Sequence, residues 1–459
     1  MIFNGWLRWF TVALLGVAAL RAAAAEPPNI IIILADDMGY GDLACYGHPS
    51  LRTPNLDRMA AQGMRFTDFY AAQSLCTPSR AALLTGRLAV RSGMAGGPGR
   101  HVLYPKDKGG LPADEITIPQ ALKTRGYTTG CIGKWHLGSG PDLHPLKRGF
   151  DSFYGLPYSN DMDTPSPAVR NRDSMSKKPD FHNFNVPLMR GTEILERPAN
   201  QYTLTKRYTA EASRFIEENK AKPFFLYFAH TFPHVPLFAS EAFAGKSARG
   251  LYGDTIEELD WSVGQVLDTL RREKLDGRTL VFFTSDNGPW LIRKWNGGSS
   301  GLLRDGKGGT WEGGYRVPGI AYWPGRIQPG VSHEMASALD LFPTSLTLAG
   351  ATLPADRPLD GVDMSPILFG GKSRREVCYY YYGDQLYAVR KGPFKAHFTT
   401  HDGYSKAEPE THNPPLLFQL SEDPSEQFNV AADQPAAVAE LQKLYEQHRA
   451  TVTRGKPQY

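Results

Sequence analysis

Cysteine is scarce in this chain: Cys45, Cys76, Cys131 and Cys378 are the four among 459 residues. So few exclude a disulfide scaffold, and at most one intramolecular bridge remains if Cys76 has another use. No Asn-x-Ser/Thr triplet occurs, so the chain offers no acceptor for an N-linked glycan. Long apolar runs are missing too, apart from one at the start. Arg8 precedes the apolar residues 10–20, and Ala23-Ala24-Ala25 stand before Glu26. A bilayer takes about 20 residues of helix, so this run is too short to span one and reads as a secretory signal over residues 1–25. No later segment offers a membrane span. Neither sign of charge is in excess, with Lys+Arg at 51 and Asp+Glu at 47. Without a basic stripe, nucleic acid is excluded as a partner. An exported chain with few cysteines and no glycan acceptor points to the bacterial periplasm or the extracellular space.

What is present is a globular composition, 41% hydrophobic and 21% charged, in a chain long enough for one large α/β domain and a smaller one. Residues 29–34 form an apolar run without alternation, the pattern of a strand buried on both faces. It ends in Asp36-Asp37. Residues 128–132 lead to Lys134 and His136, residues 224–229 to His230 and His234, and residues 279–283 to Asp286-Asn287. Helical patterns lie between them at residues 56–62, 118–124, 208–219 and 255–271. This alternation predicts an α/β fold with a large mixed, mostly parallel sheet flanked by helices. Ligands bind beyond the carboxyl ends of such strands, where all four runs deposit polar groups.

Beyond a Pro- and Gly-rich stretch at residues 353–372 the pattern turns antiparallel. Strands are expected at 377–382, 386–390, 394–399 and 416–420, with a closing amphipathic helix at 435–452. The chain therefore divides into a signal at 1–25, an α/β domain at 26–360 and a C-terminal α+β subdomain at 361–459. Residues 160–200 show no period and read as a long loop of the kind that sets specificity. The Gly-rich stretch at 297–314 is too irregular for a nucleotide loop and is expected to shape a flexible rim.

Asp36, Asp37, Asp286 and Asn287 offer only oxygen ligands, which suit Ca²⁺ or Mg²⁺ rather than Zn²⁺. Each pair alone could be a cap or a turn; two pairs at two strand ends of one sheet favour a metal. Lys134 and His136, two apart, point the same way in an extended segment; either alone would be a solvated or core residue, but beside a predicted cation and a modified Cys76 they read as anion holder and proton shuttle. His234 and Lys307 are weaker signals taken singly. Thr77-Pro78 starts a helix and Gly86 stops it, so Cys76 is expected just outside a helix N-terminus with Arg80 in the first turn. A thiol there is expected to be acidic and reactive.

The string Cys76-Thr77-Pro78-Ser79-Arg80, followed by Leu84-Thr85-Gly86-Arg87, resembles the signature of type I sulfatases. Further segments similar to arylsulfatase and galactosamine-sulfatase members of that family are Cys45-Tyr46-Gly47-His48-Pro49, Gly133-Lys134-Trp135-His136-Leu137-Gly138 and residues 284–289. The resemblance implies an alkaline-phosphatase-like fold and hydrolysis of a sulfate monoester on a carbohydrate or aryl alcohol. It implies that Cys76 is converted to formylglycine, by a formylglycine-generating or anaerobic sulfatase-maturing enzyme. Asp36, Asp37, Asp286, Asn287 and an oxygen of the modified Cys76 would hold Ca²⁺, with Mg²⁺ as the alternative. Arg80 would position the aldehyde hydrate, Lys134, Lys307, Ser159 and His234 would surround the sulfate, and His136 would stand beside the hydrate. Two other readings stay open: a phosphate or phosphonate ester hydrolase of the same superfamily, and an inactive secreted binder of sulfated glycans. The segment before His234 and residues 160–200 depart from the family pattern, which puts the substrate in doubt more than the chemistry.

Overall fold

The structure is a computed structural model that describes residues 26–459 except 98 and 165. The expected signal at residues 1–25 lies outside the described residues. At the centre is the Asn29–Ala35 strand, with Ile30, Ile32 and Leu34 packed on one face and Ile31 and Ile33 on the other. Burial on both faces explains the unbroken apolar run. This strand pairs in parallel with Phe224–Ala229 on one side and Thr279–Ser285 on the other. Thr128–Lys134 and then Ser152–Leu156 continue the parallel order beyond Phe224–Ala229. Gly319–Tyr322 runs antiparallel beside Thr279–Ser285, followed by Met64–Phe66 and Gly330–Ser332, and completes one edge.

Helices Leu204–Asn219 and Gly250–Arg272 cover one face of this ten-stranded sheet. Helices Cys76–Thr85, Ile118–Lys123 and Leu341–Ala349 cover the other. The expected strands and helices are present, most of them longer by a residue or more at an end. Residues 160–200 differ from the expected loop. They contain a helix, Pro167–Ser174, and a hairpin, Leu188–Arg190 with Glu193–Glu196, that adds two strands to the large sheet. These strands are too short and too exposed for a periodic signal to register. The Gly-rich stretch is a packed rim rather than a loose one. A Cβ on Gly298, at φ +83°, would lie 2.4 Å from the Tyr252 hydroxyl, and one on Gly313 2.1 Å from the Asp305 carbonyl.

Val377–Tyr382, Gln385–Lys391, Phe394–Thr400 and Glu410–Gln419 form the second, antiparallel sheet, against which the Pro435–Thr451 helix packs. A buried ionic network fastens this sheet to the large one. Lys395 Nζ lies 3.0 Å from Glu312 Oε1 and 3.0 Å from Glu426 Oε1, all fully buried. Glu312 also accepts from the Tyr70 hydroxyl at 2.7 Å, and Glu426 accepts the Glu312 N–H at 2.6 Å.

Candidate active site

The carboxyl ends of the five parallel strands converge on one edge, and the residues expected there are found there. Asp36 and Asp37 follow Asn29–Ala35, Asp286 and Asn287 follow Thr279–Ser285, and Lys134 ends its own strand. His136 lies two residues further, Ser159 just after Ser152–Leu156, and His234 on the connection after Phe224–Ala229. All are buried. Such burial of charge requires pairing, and the pairing is dense. Lys134 Nζ donates to Asp36 Oδ2 at 2.5 Å and Lys307 Nζ to Asp37 Oδ2 at 2.7 Å. Arg80 donates through Nε to Asp286 Oδ2 at 2.9 Å and through a terminal nitrogen to the Lys134 carbonyl at 2.8 Å. Asn287 Nδ2 donates to Asp37 Oδ1 at 2.8 Å. Three cations thus sit among three carboxylates.

Burial and the Asp286 charge push Asp36 up to about 7, against Lys134 and Arg80. Burial would push Asp286 up as well, but Arg80, Lys134 and Lys307 hold it below the usual carboxylate range. Two buried oxygens, Asp36 Oδ1 and Asn287 Oδ1, have no hydrogen-bond partner among the described residues. Ligand atoms of Asp36, Asp37 and His234 lie within 4.8 Å of one another. Carboxylate and amide oxygens of this kind fit a hard divalent cation. His234, expected beside the substrate, enters that cluster through Nε2, 3.7 Å from Asp37 Oδ2.

Cys76 is the first residue of the Cys76–Thr85 helix rather than the residue before it. Gly86 ends that helix in the left-handed region and donates its N–H to the Ala82 carbonyl. The expected acidic thiol is not found. Burial pushes the Cys76 thiol up; Lys134 and Lys307 oppose this, and Asp36 and Asp286 reinforce it. Burial of the thiol outweighs the two neighbouring cations. All four cysteines are free.

The two histidines have defined tautomers. His136 Nε2 lies 2.9 Å from the Leu103 carbonyl, an acceptor, so the proton resides on Nε2 and Nδ1 carries a lone pair. His136 Nδ1 is buried without a hydrogen-bond partner among the described residues. Burial, with Lys134 adding to it, holds His136 well below the usual range, so it is neutral. His234 Nδ1 faces the Val235 carbonyl at 2.5 Å and Asn160 Oδ1 at 3.2 Å, so its proton sits on Nδ1.

Cys76, His136, Ser159, His234 and Lys307 line one cavity of about 210 Å³. Its other walls include His101, Asp161, Trp290, Tyr382 and Tyr404, none of which the sequence singled out. Asn160 was missed as well; its amide donates to Gln201 Oε1 at 2.9 Å and to the Pro236 carbonyl at 3.0 Å, and so fixes the turn beneath His234.

A family model described as Sulfatase matches residues 28–351, and one described as the C-terminal region of aryl-sulfatase matches residues 373–459. Arylsulfatase A of Bos taurus is 46% identical over 479 residues, spanning 96% of this chain and 92% of that protein. N-acetylgalactosamine-6-sulfatase of Canis lupus familiaris is 42% identical over 487 residues, spanning 98% and 91%. Among solved structures, the PsFucS1 sulfatase from Pseudoalteromonas sp. superimposes with a TM-score of 0.82 at 31% identity, covering 93% of this chain and 90% of that one. Matched along nearly its whole length, the chain belongs to the sulfatase family and is a sulfuric ester hydrolase.

Proposed function

We propose that the protein hydrolyses a sulfate monoester of a carbohydrate or aryl alcohol at the cavity floored by Cys76. In this reading Cys76 is matured to formylglycine by a formylglycine-generating or anaerobic sulfatase-maturing enzyme. Asp36, Asp37, Asp286, Asn287 and the modified Cys76 hold Ca²⁺, or Mg²⁺ in its place. When present, the hydrated aldehyde supplies a nucleophile with a second hydroxyl for releasing sulfate, and the cation supplies positive charge beside it. The observation that carries the reading is the set of cations Arg80, Lys134 and Lys307, interleaved with Asp36, Asp37 and Asp286 at the strand ends.

The chain's own residues then have separable tasks. Lys134 and Lys307 bind the sulfuryl oxygens and stabilise charge that develops on them, and the buried Ser159 hydroxyl offers a further hydrogen bond. Arg80, held at Asp286 and the Lys134 carbonyl, orients residue 76. The lone pair on His136 Nδ1 can accept a proton from residue 76, because Nε2–H is committed to Leu103. His234, with Nδ1 committed to Val235, can pass a proton from Nε2 to the leaving alcohol.

The same reading takes residues 26–360 as the catalytic domain and 361–459 as the subdomain that closes its edge. It also takes the chain as exported; among the described residues no helix is long and apolar enough to cross a membrane. Mass analysis of the peptide containing Cys76 tests the chemistry. An aldehyde in place of the thiol is expected in active protein, and fully active protein with an unmodified thiol would contradict it.

A further inference from the structure

The C-terminal sheet and its connections send two residues into the cavity, Tyr382 and Tyr404. Tyr404 lies on the connection between Phe394–Thr400 and Glu410–Gln419, and it lines the cavity beside Trp290, His234 and Lys307. Its ring centroid is 5.1 Å from that of Trp290, with the planes 37° apart. Trp290 in turn lies 5.4 Å from the His234 ring and 4.5 Å beneath Lys307 Nζ. Two aromatic rings, tilted against each other, therefore stand beside the cation assigned to the sulfate.

Tyr404 is held there at a cost. Its φ is +59°, in the left-handed region, which costs a non-glycine residue about 1 kcal/mol or more. The neighbouring contacts enforce it. The Gly403 N–H donates to Asp305 Oδ2 at 2.8 Å, and Asp402 Oδ1 accepts from Trp311 Nε1 at 2.9 Å. A Cβ on Gly403 would lie 2.3 Å from the Lys307 carbonyl, and one on Gly308 would lie 3.1 Å from the Tyr404 ring. The loop is thus clamped onto the same segment that carries Lys307, and the ring lies over Gly308. The residue as a whole is 41% exposed, whereas its hydroxyl is buried near Lys307, and this burial pushes the phenol up.

From this geometry we infer that Tyr404 is a specificity-determining residue, forming with Trp290 an aromatic wall for the ring of the alcohol half of the ester. Resting on the sulfatase reading of the cavity, the inference adds which residue meets the leaving group and which sheet supplies it. An aromatic face accepts the flat face of an aryl ring or the C–H face of a pyranose, and both present the same chemistry to the wall. Asp305 acts as a positioning residue, through Gly403.

Steady-state kinetics with 4-nitrophenyl sulfate and with galactose 6-sulfate, compared with inhibition by inorganic sulfate, test the inference in Tyr404→Ala and Tyr404→Phe. For Tyr404→Ala, KM is expected to rise about tenfold for at least one ring ester, with kcat within about threefold of the parent. The inhibition constant of inorganic sulfate, which has no ring, should stay within about twofold. Tyr404→Phe should keep the parent's KM for the ring esters, because contact with an aromatic face does not need the hydroxyl. The ester that responds identifies which ring the wall receives. Unchanged KM for both esters in Tyr404→Ala would overturn the inference. So would an equal loss of inorganic sulfate binding, which would make the residue a prop for Lys307. Equal loss in Tyr404→Phe would overturn stacking. A matured, metal-loaded parent that hydrolyses neither of these esters nor any other sulfated sugar overturns the underlying reading, and the inference with it. Matching melting temperatures of the three proteins exclude misfolding as the cause.

Discussion

Arg80 connects three strand ends: it binds Asp286, donates to the Lys134 carbonyl, and has a terminal nitrogen 3.6 Å from Asp36 Oδ2. Removing Asp286 therefore both takes from a fully buried guanidinium its nearest carboxylate, leaving Asp36 at 3.6 Å, and deletes an anionic oxygen from the proposed cation site. Asp286→Ala is expected to lower metal content and to cut kcat/KM by at least about tenfold, while chelation of the parent abolishes turnover. Ca²⁺ or Mg²⁺ should restore the chelated parent better than Zn²⁺. Metal analysis alongside kinetics checks this, and an unimpaired, metal-free variant would contradict it. Residues such as Asp36, Asp37, Asp286 and Asn287 were legible in the sequence because each pair directly follows an apolar run that fixes where its strand ends. Asn160, Asp161, Trp290 and Tyr404 were not legible. They sit on connections with no period, and what places them is the approach of a distant segment, as with Gly403 on Lys307.

The Cys76–Thr85 helix depends on its end as much as on its start. Gly86 has φ +66°, and a Cβ there would lie 2.9 Å from the Phe342 side chain. Gly86→Ala is expected to destabilise the protein by about 1–2 kcal/mol from the backbone alone, with more from the clash. Urea unfolding of the two proteins measures the difference; equal midpoints would show that the helix stop does not need glycine. The helix stop was readable from Gly86, as were the long buried strands from their apolar runs, while Thr77-Pro78 put the start after Cys76, which the helix includes. The Ser152–Leu156 strand and the short strands Met64–Phe66, Gly319–Tyr322 and Leu188–Arg190 escaped, because so few residues carry no periodicity that distinguishes a strand from a turn.

Across the whole molecule, buried titratable groups set opposing responses to acid. His230 is buried and has no charged partner among the described residues, and burial alone lowers it to about 3. Its folded value lies below the unfolded 6.5, so the unfolded chain takes up a proton first and stability falls as pH drops below 6.5. Asp42 and Asp260, which burial raises to about 6, bind protons in the folded state and act in the opposite sense over the same range. Glu312 would be raised by burial, but Lys395 and Arg316 hold it far below its usual range, so its contribution stays intact above about pH 4.5. The net slope of the parent therefore mixes signs, whereas its difference from a His230→Gln variant isolates the histidine. Between pH 6.5 and 4.5 the parent is expected to lose about 2–3 kcal/mol relative to that variant. Parallel stability curves would contradict this. The central claim, that the converged strand ends form a sulfate-ester site, concerns the charge of the ester. A sulfate monoester carries one negative charge, and a phosphate monoester mostly carries two near neutral pH. Arg80, Lys134 and Lys307 are balanced by Asp36, Asp37 and Asp286, so a single hard cation and a neutral aldehyde hydrate would set the site's charge, and such a site suits the singly charged ester better than a two-metal site would. The most direct test is kcat/KM for 4-nitrophenyl sulfate against 4-nitrophenyl phosphate with matured, metal-loaded protein. A preference for the sulfate of about 10² or more, worth about 2.7 kcal/mol, is predicted, and a preference for the phosphate would contradict the account.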